Sequence, residues 1–226
     1  MKITRWIVVS AFTAAAWAQV PAQPPSITAV GTATVSVAPD MARVDVSVST
    51  QATTAQDAST SNATQTSAVI AALQLLLGAD ANIKTVNYSL SAVYNNPPPG
   101  QSSRIIGYTV DNTIEVTLTN LSRIGQTIDI AIQNGANRVQ GISFDLRDRN
   151  PPTAQALKAA AASARSQADA IASGLNVHTG PVLHASEGVN TFNPVTGVTA
   201  GAPTTPIETG LVLIQASVTL EVAIAP

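Results

Sequence analysis

The sequence predicts an α+β fold: mainly antiparallel sheet, with a long Ala-rich helix and two other helices packed on it. Runs of apolar–polar alternation recur along the chain, which is the period of half-buried strands. Three stretches break that period with helical spacing, and each stops at a glycine: Gly78, Gly135 or Gly174. The alternating runs come in neighbouring pairs around these helices, as hairpins do. A chain of 226 residues is long enough to bury the core of such a domain without disulfides.

Ile27–Val37 puts Ile27, Ala29, Ala33, Val35 and Val37 on one face and Thr28, Thr32, Thr34 and Ser36 on the other. Pro39-Asp40 turns the chain into a second strand, with Val44, Val46 and Val48 inward and Arg43, Asp45, Ser47 and Ser49 outward, so the two read as a hairpin. From about Ala55 to Gly78 the period becomes helical, with Ala58, Val69, Leu73, Leu76 and Leu77 on one face. Thr85–Tyr94 and Ile105–Leu118 are strands again, joined by Asn95-Asn96-Pro97-Pro98-Pro99-Gly100, an exposed and stiffened hairpin loop.

Ser122–Asn134 reads as a short helix carrying Ile124, Ile128 and Ala131, followed by a strand through Ile142 and Phe144. Asn150 is placed to cap, and Pro151-Pro152 to open, the longest helix, which runs to about Ser173. Its apolar stripe reads as Leu157, Ala161, Ala164, Ala168 and Ile171, small enough for another backbone to come close. Val182–Gly188 is a candidate strand, Thr191–Pro206 a Thr/Gly/Pro loop, and Leu211–Ile224 a final strand with Val212, Ile214, Val218, Leu220 and Val222 on one face. The strands Ile27–Val37 and Leu211–Ile224 carry almost no outward charge, Glu221 being the single acid, so they are expected to act as unprotected sheet edges.

Charge narrows the function classes. Charged residues make up only 11% of the chain and the formal net charge is −2, which leaves no electrostatic footprint for nucleic acid. With no Cys, thiolate metal sites, disulfides and cysteine nucleophiles are all excluded. Lys2 and Arg5, an apolar run from Trp6 to Trp17, and the small residues Ala16 and Ala18 occur in the order of a secretory signal peptide over residues 1–18, with the cut before Gln19. The run is shorter than the roughly 20 apolar residues of a spanning helix, so no membrane span is expected after cleavage. Residues 19–25 read as a flexible leader and 26–226 as the folded domain. Loss of Lys2 and Arg5 leaves 9 of the 11 basic residues against 13 acidic ones, and both tryptophans depart with them. The remaining aromatics, Tyr88, Tyr94, Tyr108, Phe144 and Phe192, are too few for stacking platforms. The exported protein is expected to be periplasmic or secreted.

No local signature of catalysis stands out. His178 and His184 flank Gly180-Pro181, and the nearest acid, Glu187, completes no metal-ligand spacing. Neither a GxSxG elbow nor a phosphate-cradling glycine loop occurs. The densest charge cluster, Asp145-Leu146-Arg147-Asp148-Arg149, places a guanidinium beside each carboxylate and reads as a self-neutralised turn. Asp111 and Glu115 share a strand face about 13 Å apart by strand rise, beyond the usual span of paired glycosidase carboxylates. No catalytic, cofactor-binding or metal residue is therefore assigned.

The run Ile27-Thr-Ala-Val-Gly-Thr-Ala-Thr-Val-Ser-Val-Ala-Pro-Asp40, followed by Ala42-Arg-Val-Asp-Val, resembles the opening of SIMPL-domain (DUF541) proteins. Further matches follow in order: Ile83-Lys-Thr with Tyr88-Ser-Leu, Gly107-Tyr-Thr-Val-Asp-Asn112, Gly135-Ala, and Ile171-Ala-Ser-Gly-Leu175. One departure is Ala33, where the opening motif commonly has a second glycine. The resemblance spans roughly Ile27 to Ile224 and implies an α+β domain of exported bacterial proteins without known catalytic residues, linked to envelope or oxidative-stress phenotypes. Together with the charge-poor strands, it leads to the expectation of a non-enzymatic interaction or self-assembling protein, a homo-oligomer with a possible envelope partner. The alternative is a periplasmic hydrolase or small-ligand-binding protein using Asp145, Asp148 or His184 in a cleft, which requires those side chains to converge.

Overall fold

The computed structural model describes residues 24–78, 81–192, 207 and 209–225. The expected signal peptide at 1–18, residues 19–23 of the leader and residues 193–206 of the expected Thr191–Pro206 loop lie outside the described residues. Alternation and helical spacing appear where the sequence places them, in the expected order. The strands are β1 (Ser26–Val37), β2 (Met41–Ala52), β3 (Asn82–Tyr94), β4 (Ile105–Leu118), β5 (Arg138–Asp145), β6 (His178–Phe192) and β7 (Val212–Ala225). The helices are α1 (Ala55–Leu77), α2 (Ile124–Gln133), entered through a 3-10 turn at Leu121–Arg123, and α3 (Asn150–Gly174).

The strands divide into two sheets, one ordered β1-β7-β6 and the other β3-β4-β2-β5, and all pairings are antiparallel. The expected β1–β2 hairpin does not form. A tight hairpin needs residues with positive φ at its turn, whereas the segment after Val37 has none, and the chain passes from one sheet to the other. β3 and β4 do pair as expected. The expectation that the last strand is an edge is also corrected: β7 lies between β1 and β6, and the edges of this sheet are β1 and β6.

One core forms where α1 and α2 cover the four-stranded sheet, gathering Val44, Val46, Val48, Val69, Leu73, Ile114, Val116, Ile124 and Ile128. Thr54 starts α1 by accepting the Asp57 amide at 3.1 Å, and Gly78 ends it at φ 97°. The second core lies under α3, where its residues meet β1 and β7.

α3 departs from its expected details in two ways. Its N-cap position is Arg149, not Asn150; the Asp148 carboxylate accepts the Asn150 amide at 2.8 Å and so does the capping work expected of Asn150. The buried stripe is Ala156, Ala160, Ala164, Ala168 and Ala172; of the expected stripe, Ala164 and Ala168 are buried and Leu157 packs half-buried against the core, whereas Ala161 and Ile171 are exposed. The physical reason is Gly31. A Cβ there would lie 2.1 Å from the Ala160 carbonyl oxygen and 2.2 Å from the Ala164 nitrogen, so the helix backbone touches the strand backbone and turns its smallest face inward.

Candidate functional site

The alternation that buries Val44, Val46 and Val48 under the helices sends Arg43, Asp45, Ser47 and Ser49 to the opposite face of the sheet. Register then decides their neighbours. Across β4, Ser49 faces Asp111, Ser47 faces Thr113, Asp45 faces Glu115 and Arg43 faces Thr117. β3 contributes Lys84 opposite Glu115, and β5 contributes Arg138 opposite Ser47. The densest set of charges on a sheet surface is therefore assembled from four strands.

Asp45 and Glu115 occupy directly opposed positions, where side chains stand only about 5 Å apart. Glu115 pairs with Lys84 at 2.9 Å and Asp111 with Arg138 at 3.1 Å. Asp45 has no such partner, and its buried Oδ1 accepts no hydrogen bond among the described residues. Burial, and then the neighbouring Glu115 charge, push the Asp45 carboxyl above its usual range, against the opposing pull of Arg43 and Lys84. Beside this pair Ser47 is fully buried although it faces away from the helices. Its hydroxyl hydrogen-bonds that of Thr113, and the Gln140 amide donates to it at 3.4 Å. Among the described residues, the face presents no histidine beside that carboxyl.

The residues weighed in the sequence fall in separate places. Asp145 ends β5, is 3% exposed, and accepts from Arg43 Nη2 at 2.7 Å, Arg149 Nη2 at 2.7 Å, Arg149 Nε at 2.8 Å and the Leu146 amide at 2.8 Å. Burial alone would raise its pKa; the Arg149 and Leu146 hydrogen bonds, with the charges of Arg149 and Arg43, outweigh burial and hold the carboxyl below its usual range. Asp148 caps α3. His184 lies on β6 in the other sheet, opposite Glu221, whose carboxylate accepts from Ser26 at 2.6 Å. The three side chains of the hydrolase or ligand-binding alternative thus do not converge. His178 lines a cleft of about 570 Å³ at the end of α3, where Arg165 donates to Thr179 at 2.6 Å and Thr179 to Asp169 at 2.5 Å. Among the described residues no three His, Cys, Asp or Glu side chains gather as a metal site. The Asp45–Glu115 opposition was missed from the sequence, because it depends on the pairing of β2 with β4; the only earlier signal was that each residue sits at an outward position of its strand.

A family model described as SIMPL, a protein of unknown function (DUF541), matches residues 27–222. The chain belongs to the SIMPL family. Among SIMPL-family relatives, the 26 kDa periplasmic immunogenic protein of Brucella melitensis is 30% identical over 189 residues, covering 80% of this chain and 75% of the relative. The uncharacterized protein YggE of Escherichia coli is 28% identical over 170 residues, covering 75% of this chain and 68% of the relative. YggE of Edwardsiella ictaluri is 29% identical over 180 residues, covering 78% and 73%. These names indicate no enzymatic family. The periplasmic or secreted location expected from the sequence agrees with the periplasmic relative, and no helix among the described residues is long and apolar enough to cross a membrane.

Proposed function

We propose that this SIMPL-family protein is non-enzymatic and acts after export as a self-assembling interaction protein. The supporting observation is the outer edge of β1, with which no strand among the described residues pairs. It runs for 12 residues without a charged side chain or proline, and it pairs with β7 without a register shift. Lysines, prolines and bulges are the usual guards against edge-to-edge pairing, and β1 carries none of them. Its outward positions Thr28, Val30, Thr32, Thr34 and Ser36 are exposed, in a chain whose small net charge opposes contact only weakly. In this reading residues 1–18 are removed, 19–25 form a leader, and 26–226 form the working domain, with no catalytic, cofactor or metal residue and no nucleic-acid partner. The family resemblance adds the expectation of an envelope partner and a role in the envelope or oxidative-stress response.

Light scattering on the exported protein tests the assembly. A defined homo-oligomer is expected at micromolar concentration, and Val30→Lys with Thr34→Lys should shift it toward monomer while circular dichroism stays unchanged. A wild-type monomer mass unaltered by crosslinker would overturn the reading. The dispersal of Asp145, Asp148 and His184 weighs against the hydrolase or ligand-binding alternative built on them.

A further inference from the structure

We propose that β1 is met by the β1 of a second copy, antiparallel about a two-fold axis at Gly31, with the α3 helices of the two copies packed beside each other. The dimer, which rests on the self-assembly reading above, joins two three-stranded sheets into one of six strands.

The sheet edges differ in their protection. Among the described residues the edge strands are β1, β6, β3 and β5. β6 contains Pro181 and Glu187, and its pairing with β7 shifts on both sides of Val182. β3 carries Lys84 and a shift between Thr85 and Asn87. β5 carries Arg138 and a shift opposite Asp45 and Val46. Charges, prolines and bulges of this kind guard an edge, and β1 alone of the four has none. Pairing β1 with β6 of the next copy would extend into a ring or a filament, whereas β1 against β1 closes after two chains.

The backbone then fixes the register. The Pro25 carbonyl accepts from the Ile224 amide at 2.9 Å, so Pro25 turns its hydrogen-bonding group toward β7. Pairing without a register shift carries the alternation along the strand. Odd-numbered residues as far as Val37 bond to β7, and the N–H and C=O groups of even-numbered ones point to the outer edge. Across the axis, even residues must therefore pair with even residues. The longest overlap of that kind opposes Ser26 to Ser36, Thr28 to Thr34 and Val30 to Thr32, and it centres on Gly31.

The position of α3 suits this geometry. One flank of the helix faces β6: Leu157 and Ala161 line a groove with Ala185 and Ser186, and Arg165 donates to the Gly180 carbonyl at 3.3 Å. The buried row meets Gly31 through Ala160 and Ala164. At 3.6 residues per turn, the opposite flank carries Gln155, Ala159, Ser163, Gln167 and Ile171 and looks over the β1 edge. That row is exposed, apart from a half-buried Ser163, and uncharged; the helix's charges, Lys158, Arg165 and Asp169, lie on other rows. α3 lies across both β1 and β7. Two β1 strands about 4.8 Å apart then set the helices about 9–10 Å apart, the spacing of packed helices. Ser163 and Ala159 stand nearest the axis and are small enough for that approach. A face about 37 Å long and about 20 Å deep gives roughly 700 Å² per copy, near the size of a stable interface.

The chain has no Cys, so single cysteines report the contact. Light scattering of the exported protein is combined with a short bis-maleimide crosslinker on Val30→Cys, Ser163→Cys and, on β6, Val189→Cys. The wild type should be at least dimeric. Val30→Cys and Ser163→Cys should each give a covalent product that stops at two chains, and Val189→Cys should give none, with circular dichroism unchanged in all three. Crosslinking between mixed Val30→Cys and Val189→Cys chains, but within neither alone, would place β1 against β6 and overturn the proposal while self-assembly stands. So would an oligomer in which only one or neither of Val30→Cys and Ser163→Cys crosslinks, or in which Val189→Cys crosslinks equally. A wild-type monomer mass with no crosslinking would overturn the two-fold dimer together with the reading beneath it.

Discussion

At Gly31 the backbone of β1 lies against the backbone of α3, and the space a methyl group would need is already filled by Ala160 and Ala164. Neither obstacle is a side chain that can swing away. Gly31→Ala must therefore lift the helix from the sheet and loosen the contacts of Ala156, Ala164 and Ala168 with β1 and β7. Overpacking of this kind costs about 3 kcal/mol, to be read from urea unfolding; a loss below about 0.5 kcal/mol would show that the helix has room to spare. The Ala-rich stretch signalled a close approach from sequence alone. Which of its faces turns inward did not follow, because Ala covers nearly the whole circumference of α3 and only the position of Gly31 in the partner strand selects one stripe. Ala33, the departure from the family opening, sits two residues on and packs half-buried against the core that holds Ala156 and Ala160.

At the scale of elements, α1 shows how a polar residue can belong to a core. Its buried stripe runs Ala58, Asn62, Thr66, Val69 and Leu73, and the two polar members blur the helical period in the sequence. Asn62 is fully buried because its amide donates to the Val48 carbonyl at 2.8 Å and the Val110 carbonyl at 3.2 Å, tying the helix to β2 and β4 at once. Thr66 returns a hydroxyl to Asn62 Oδ1 at 3.3 Å. Asn62→Ala should cost about 2 kcal/mol, the penalty of buried groups left unpaired, with a lower thermal midpoint and an unchanged far-ultraviolet spectrum. An unchanged midpoint would mean that the two carbonyls are satisfied without it. The Ser/Thr-rich middle of this helix is placed in the sequence only by its limits, a start near Ala55 and a stop at Gly78; the structure adds Thr54 as its N-cap.

Across the whole molecule the two sheets are stitched where the chain crosses between them. The β1-to-β2 crossing meets the β5-to-α3 crossing at Asp40 and Asp145: the Asp40 amide donates to the Asp145 carbonyl at 3.2 Å, and the Arg147 amide to Asp40 Oδ1 at 2.7 Å. The Asp145 carboxylate then joins Arg43 of β2 to Arg149 at the start of α3. Its folded-state pKa lies below the usual value, so the folded state binds this proton less readily than the unfolded chain does. The carboxylate's stabilisation is accordingly complete above the usual Asp range and is lost as pH falls through the folded-state value. Asp45, whose carboxyl is raised, works in the opposite sense and favours the protonated protein. Asp145→Asn should cost about 2–3 kcal/mol near neutral pH, less than a fully buried pair because both arginines can rehydrate, and should flatten the acid limb of stability. Urea unfolding of both proteins across that range measures it; parallel curves would remove Asp145 from the acid response.

Strand and helix identities, their order and the inward sets Val44, Val46, Val48 and Ile114, Val116, Leu118 were determined by the sequence itself, because periodicity is a local property that each segment carries alone. The pairing of strands was not. Whether β1 pairs with β2 or with β7 depends on contacts nearly 200 residues apart, and local patterning is equally satisfied by both. The same separation hides the charged face: Asp45 and Glu115 read as ordinary outward residues until the β2–β4 register sets them side by side. Sequence determines which side chains leave the core; the tertiary structure decides which of them meet, since meeting requires long-range geometry that no single segment contains.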